Sequence, residues 1–282
     1  MINEELRKIV SDGLKKNLST LYIRNLLKEY LQIYVLNFIY LDPIYSKNMV
    51  FTGGTCLRHC YGLNRLSEDL DFDLISKIDS EKLKQDLENY FKVDYLYKNV
   101  DISVLQRGKQ ILLKFAVLRE LVLANESESD LLYVKMDLSL IESDNYGLIT
   151  TLKSLYNFNY IVTHYDLPSL MASKMVTVLT RDRFIGKENL KVIKGRDYFD
   201  LLWYLEKRVE PNLERINDLL KSNYLLNEVI KLVDEKVEEA ITKQKQYFKR
   251  DLMAFIDNNK LLDDYVKNYS MNYENNKKYL IE

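Results

Sequence analysis

With 282 residues, 47% of them hydrophobic and 29% charged, the chain can bury a core and is not disordered, and two modest lobes are expected rather than one large domain. A net charge of −1, from 41 basic and 42 acidic residues, excludes a global field that draws the protein to nucleic acid or membrane, so any polyanion site must be a local patch. Two cysteines and two histidines leave almost nothing from which to build a histidine-based triad or a four-ligand zinc site.

Apolar residues at helical spacing, Leu6, Val10 and Leu14, then Leu27, Leu31, Val35 and Ile39, predict helices across residues 3 to 40. Asp42-Pro43 ends them, because proline disfavours helix at the residue before it. The opening Met1-Ile2-Asn3-Glu4-Glu5 has acids where a signal peptide needs basic residues. The longest apolar stretch, Tyr30 to Leu41, falls far short of the ~20 residues a membrane helix needs. A soluble, cytoplasmic protein with no membrane partner is expected.

Met49-Val50-Phe51 reads as a short strand running into Gly53-Gly54-Thr55 and then a short helix that stops at Gly62. Cys56 and Cys60 lie on that helix and, lacking a second pair, read as idle reduced thiols. Asp69-Leu70-Asp71-Phe72-Asp73-Leu74 alternates acid and apolar, the period of a strand with one buried face. A helix at about Ser80 to Tyr90, capped by Asp79 or Ser80, and strands near 101–106, 110–118 and 131–141 complete a mixed sheet with helices packed on it. From Leu167 the pattern turns helical: Leu167 to Arg183, Arg196 to Glu206, and several segments from Leu213. The stretch from about 257, rich in Asn, Lys and Tyr, reads as a loosely held helix or a tail. The expected lobes are 1–165 and 166–282, the first α/β and the second α-helical.

Side chains at i and i+2 of a strand leave the same face, so Asp69 and Asp71 converge, and Asp73 extends the row. Two carboxylates on a rigid strand are what hard Mg²⁺ requires, and close like charges are unfavourable unless something positive sits among them. Asp137, between Met136 and Leu138 on another predicted strand, either supplies a third carboxylate or is a solvent-facing edge residue. Gly53-Gly54-Thr55 before a helix offers backbone N–H groups to an anion, although the same triplet also makes a plain strand-to-helix turn.

Phe51-Thr52-Gly53-Gly54-Thr55-Cys56-Leu57-Arg58, followed by Gly62-Leu63-Asn64-Arg65-Leu66-Ser67-Glu68-Asp69-Leu70-Asp71-Phe72, resembles the nucleotidyltransferase core of the AbiEii toxin family, within the DNA polymerase beta superfamily. Lys174 in a helix, followed by Arg196-Asp197-Tyr198-Phe199-Asp200-Leu201, is similar to that family's later lysine and arginine-aspartate motifs. The resemblance implies a polymerase-beta-type lobe followed by a helical one, with a nucleoside triphosphate (NTP) and Mg²⁺ held in the cleft between them. It implies that Gly53, Gly54 and Thr55 bind phosphate and that Asp69 and Asp71 hold metal. Lys174 would contact the triphosphate, Asp197 would assist the chemistry or organise the site, and Arg58 and Arg65 would support the acids or touch phosphate. It further implies a toxin that moves a nucleotide to RNA, with a tRNA acceptor end favoured, opposed by a separate antitoxin.

Lys174 sits among Leu170, Met171, Met175 and Val178, where a lysine either snorkels or meets an anion. The span from Arg181 to Arg196 holds six basic and two acidic residues, a candidate RNA-backbone patch through Arg183, Lys187 and Lys191, or else a solvated loop. The competing readings are a small-molecule nucleotidyltransferase of the aminoglycoside type, which would want an acidic pocket, and a binding module that keeps the fold without turnover.

Overall fold

A computed structural model describes residues 2–182, 184–185 and 190–281, and their contacts cluster into two units, Met1–Ile141 with Ile149–His164 and Glu142–Leu148 with Tyr165–Glu282. In the first unit, α1 (Ile2–Lys15) packs on α2 (Thr20–Leu41), whose start is capped by Ser19 accepting from the Tyr22 N–H. Helix α2 buries Leu27, Leu31, Val35 and Ile39 completely and is covered on nearly every side. Two of its interior amides donate across the core: Gln32 Nε2 to the Ser67 carbonyl at 3.3 Å and Asn37 Nδ2 to the Tyr90 hydroxyl at 2.8 Å. Asp42 ends the helix, its Oδ1 accepting from the N–H groups of Ile44 and Tyr45 beyond Pro43.

The chain continues through α3 (Tyr45–Asn48), β1 (Met49–Thr52) and α4 (Gly53–Tyr61), which closes on the left-handed Gly62 at φ +75°. Then follow β2 (Asp69–Leu74), α5 (Ser80–Asn89) capped by Asp79, β3 (Val100–Leu105), β4 (Gln110–Ala116) and β5 (Leu131–Leu140). The sheet is extended by β6 (Leu148–Leu155) and β7 (Phe158–Tyr165), neither of which the sequence reading anticipated. Strand β6 leaves Leu148, Ile149 and Leu152 exposed at the end of the sheet, so it carries no core pattern to read. Its link to β7 is Tyr156-Asn157, both at positive φ, which suits a two-residue connection between twisted strands.

The seven strands lie in the order β3-β4-β5-β2-β1-β7-β6. Strand β2 runs antiparallel to β1 and parallel to β5, and β1 runs parallel to β7 with Phe51 beside His164. The mixed sheet under helices is the expected α/β class. Leu70, Phe72 and Leu74 enter the core, which sets Asp69, Asp71 and Asp73 on the opposite face.

The second unit is a helical cluster of α6 (Leu167–Thr180), α7 (Gly195–Glu206), α8 (Leu213–Leu220), α9 (Leu226–Thr242), α10 (Lys245–Leu252) and α11 (Asn259–Asn276). Asp166 caps α6 through the Ser169 N–H, with Pro168 in the first turn. Helix α6 stops at Thr180, earlier than expected, and the chain then forms a short ribbon of β8 (Phe184–Ile185) and β9 (Leu190–Lys191). The region expected to be a loosely held helix or a tail is α11, an 18-residue helix held firmly by buried Leu262, Val266, Tyr269 and Tyr273. Its stripe is largely aromatic, and the tyrosines bury their rings while placing their hydroxyls on Tyr198 O and Asp234 Oδ1. Among the described residues no helix is long and apolar enough to cross a membrane.

Candidate active site

The acidic face of the first unit is built by strand register. Asp69 lies opposite Lys135, and Asp71 lies opposite Asp137. Lys135 Nζ stands between two of the acids, 3.3 Å from Asp69 Oδ2 and 2.9 Å from Asp137 Oδ2. Burial works to lower the Lys135 pKa, but Asp137 and Asp69 outweigh it and hold the ammonium above its usual value. Gln110, across from Asp137 on β4, donates to Asp137 Oδ1 at 2.8 Å. Asp137 is therefore an interior-strand residue of the acidic face, its side chain about a third exposed.

The glycine turn meets this face. Gly53 opens α4 at φ +76°, and a Cβ there would overlap the carboxylate of Asp71. A Cβ on Gly54 would come within 2.6 Å of Arg65 Nη2 and 3.3 Å of Ser67 Oγ. Gly53 is thus favoured both by its positive φ and by its approach to a carboxylate, while Gly54 lies close against the buried Arg65 guanidinium. Thr55, itself buried, donates its hydroxyl to the Asp69 carbonyl and so ties α4 to β2. Arg65 is buried and donates to Leu66 O at 2.8 Å. Arg58 forks onto Glu29, Nε to Oε2 at 2.9 Å and Nη2 to Oε1 at 3.2 Å, and also donates to Leu63 O, which clamps α4 to α2.

In the second unit, Lys174 on α6 meets both acids of α7, with Nζ 2.9 Å from Asp197 Oδ1 and 2.9 Å from Asp200 Oδ2. Arg181 adds a 2.6 Å contact to Asp197 Oδ2. Burial pushes the Asp197 carboxyl up, but Lys174, Arg181 and Lys194 together hold it well below the usual carboxylate range. Burial also lowers the Lys194 pKa, with Arg196 adding to the effect. Arg196 turns to another helix: its guanidinium pairs with Asp251 Oδ2 at 3.3 Å and lies 4.0 Å from the Phe255 ring centroid.

Three of the six basic residues between 181 and 196 are therefore engaged within this unit: Arg181 with Asp197, Arg196 with Asp251, and the half-buried Lys194 electrostatically with Asp197. Arg183 and Lys187 lie outside the described residues, and of Lys191 only the backbone, in β9, is described. The sequence reading missed Lys135, Gln110 and Arg181. The signal for Lys135 was present, since Lys135 and Asp137 alternate on a predicted strand as Asp69 and Asp71 do.

Comparison with curated proteins finds no match. Among solved structures the chain is similar to JHP933 from Helicobacter pylori, with TM-score 0.51, 16% identity, and coverage of 91% of this chain and 93% of that one. It is also similar to MenT4, a nucleotidyltransferase toxin from Mycobacterium tuberculosis, with TM-score 0.49, 13% identity, and coverage of 93% of this chain and 98% of that one. A family profile described as nucleotidyl transferase AbiEii toxin, type IV toxin–antitoxin system, matches residues 38–268, and the chain therefore belongs to the AbiEii nucleotidyltransferase toxin family.

Proposed function

We propose that the chain transfers a nucleotidyl group from an NTP to RNA, with a tRNA acceptor end as the favoured acceptor and with Asp69, Asp71 and Asp137 as the metal-holding acids. The observation that carries this reading is the register of β2 and β5, which sets Asp71 against both Asp137 and the Gly53 turn. The donor set fits Mg²⁺: all three are hard carboxylate oxygens, and the face already accommodates a cation in the Lys135 ammonium. A bound Mg²⁺ would neutralise phosphate charge and align the attacking and leaving oxygens.

The chain's own residues supply the rest. Backbone N–H groups of Gly53, Gly54 and Thr55 at the start of α4 bind phosphate; the Thr55 hydroxyl, given to the Asp69 carbonyl, holds the turn in place. Arg65 backs Gly54, and Arg58 acts by fixing α4 on α2. Lys174 serves the triphosphate, positioned by Asp197 and Asp200. Asp197, held ionised by its three cationic neighbours, orients Lys174 and Arg181 rather than giving up a proton. Arg183, Lys187 and Lys191 hold the RNA backbone. The family's place in a toxin–antitoxin system supports a cognate antitoxin as genetic partner.

Incubating the protein with each labelled NTP, Mg²⁺ and total RNA tests the reading. Label should pass to RNA from one preferred triphosphate and stop on chelation; a folded protein that labels no RNA overturns it. A small-molecule acceptor is the second reading, favoured by the inward engagement of Arg181, Lys194 and Arg196, which halves the charge a basic patch could offer. Transfer to a cationic small molecule and not to RNA would establish that alternative.

A further inference from the structure

We propose that Cys56 and Cys60 of α4 and His164 of β7 form a Zn²⁺ site distinct from the acidic face. Their ligand atoms all lie within 4.8 Å of one another, the one such group of three among the described residues. Cys56 and His164 are fully buried and Cys60 is partly so. The site follows from topology: β1 pairs with β7 at Phe51 and His164 and then runs directly into α4, whose Cys56 and Cys60 share one helical face by i, i+4 spacing. The β1–β7 register thus brings a histidine more than a hundred residues away to the thiol pair.

The donor chemistry selects the metal. Two thiols and an imidazole suit Zn²⁺ and not Mg²⁺, at ligand distances of about 2.3 Å for sulfur and about 2.0 Å for nitrogen. Two thiolates balance the ion's charge, and loading releases two protons, one from each thiol, with the imidazole neutral. Thr151 Oγ1 lies 2.8 Å from His164 Nε2, an outer hydrogen bond that fixes a ligating imidazole, and Tyr61 packs edge-on against the ring at 5.1 Å. Nδ1 is then the nitrogen assigned to the metal. A second observation points to a ligand here. Tyr160, two alternations before His164 on β7 and within electrostatic reach of Cys60, has a buried hydroxyl with no hydrogen-bond partner among the described residues. A three-ligand Zn²⁺ keeps a fourth position for water, which that hydroxyl can bind. The ion would fasten α4, and with it the Gly53 turn, to β7.

The test is metal titration of the full chain after reduction and chelation. Co²⁺ should bind at one equivalent with a thiolate-to-cobalt charge-transfer band, Zn²⁺ should displace it, and Zn²⁺ should protect both thiols from Ellman's reagent. Cys60→Ser, with folding checked by circular dichroism, should abolish the band, and Thr151→Val should weaken Zn²⁺ binding by roughly 10- to 100-fold. Asp69→Asn should leave the band intact, separating this site from the acidic face. A folded wild type that shows no thiolate band, or Zn²⁺ binding unchanged in Cys60→Ser, overturns the proposal.

Discussion

On β2 and β5 of the first unit, Asp69, Asp71, Asp73 and Asp137 share a face with one lysine, Lys135, whereas in the second unit Asp197 and Asp200 are matched by Lys174 and Arg181. The first group is partly open, with Asp69, Lys135 and Asp137 side chains 27%, 31% and 35% exposed; in the second, Lys174, Asp197 and Asp200 are 13%, 6% and 0% exposed. Carboxylates in a half-open position stay partly hydrated and are stabilised further when a cation arrives. Buried charges must be balanced from within the fold, because each ion left without its partner keeps its full desolvation penalty. On the proposed reading, the first group would take up the cation, and the acids of the second would position Lys174.

The largest expected effect separates chemistry from folding. Asp69→Asn or Asp71→Asn should lower turnover by roughly a thousandfold or more while the melting curve stays near wild type. Near-normal RNA labelling by either folded variant would remove the acidic face from the reaction. Next comes the pair that tests the contrast directly. Lys174→Met should destabilise the protein by about 3–5 kcal/mol by leaving Asp197 and Asp200 short of a buried partner. Lys135→Met, in its more open position, should cost about 1 kcal/mol or less. Equal costs in denaturant titrations would erase the distinction.

Gly53→Ala should cost about 1–2 kcal/mol for the left-handed backbone and displace the Asp71 carboxylate, so its turnover should fall by more than its stability accounts for. A variant with wild-type kinetics would show that the turn is only a connection. For Asp197 the folded pKa lies below the unfolded one, so its stabilisation is complete above the usual value of 3.8 and is lost as pH falls through the depressed folded value. Stability should therefore decline as the solution is acidified below about pH 4, with a shallower decline in Asp197→Asn. Parallel acid titrations of the two proteins would refute that. The smallest change expected is in Arg183→Ala, Lys187→Ala and Lys191→Ala together, which should flatten the salt dependence of RNA binding by about two, at about 0.7 per phosphate contact, and spare triphosphate binding. An unchanged slope would make the segment a solvated loop.

Much of the acidic face was legible because it is local. Alternation over Asp69–Leu74 states which side chains share a face, and Gly53-Gly54-Thr55 between a strand and a helix states where backbone N–H groups collect. Less legible were β6, whose exposed side chains carry no burial pattern, and α11, whose core stripe is written in tyrosine and was read as polar. The partner of Arg196 was not legible, because helical spacing fixes an angle around an axis but not the neighbour found there, and the neighbour is Asp251 of α10.

By itself, then, the sequence determined the α/β class, the acid strand, the glycine turn and the family, all properties of residues close along the chain. Tertiary structure alone decided that Asp71 faces Asp137, that Lys135 stands between Asp69 and Asp137, that Lys174 is held by two acids, and that His164 joins Cys56 and Cys60. Each of these depends on strand register or helix packing between distant segments, where a one-residue slip would send every side chain to the other face.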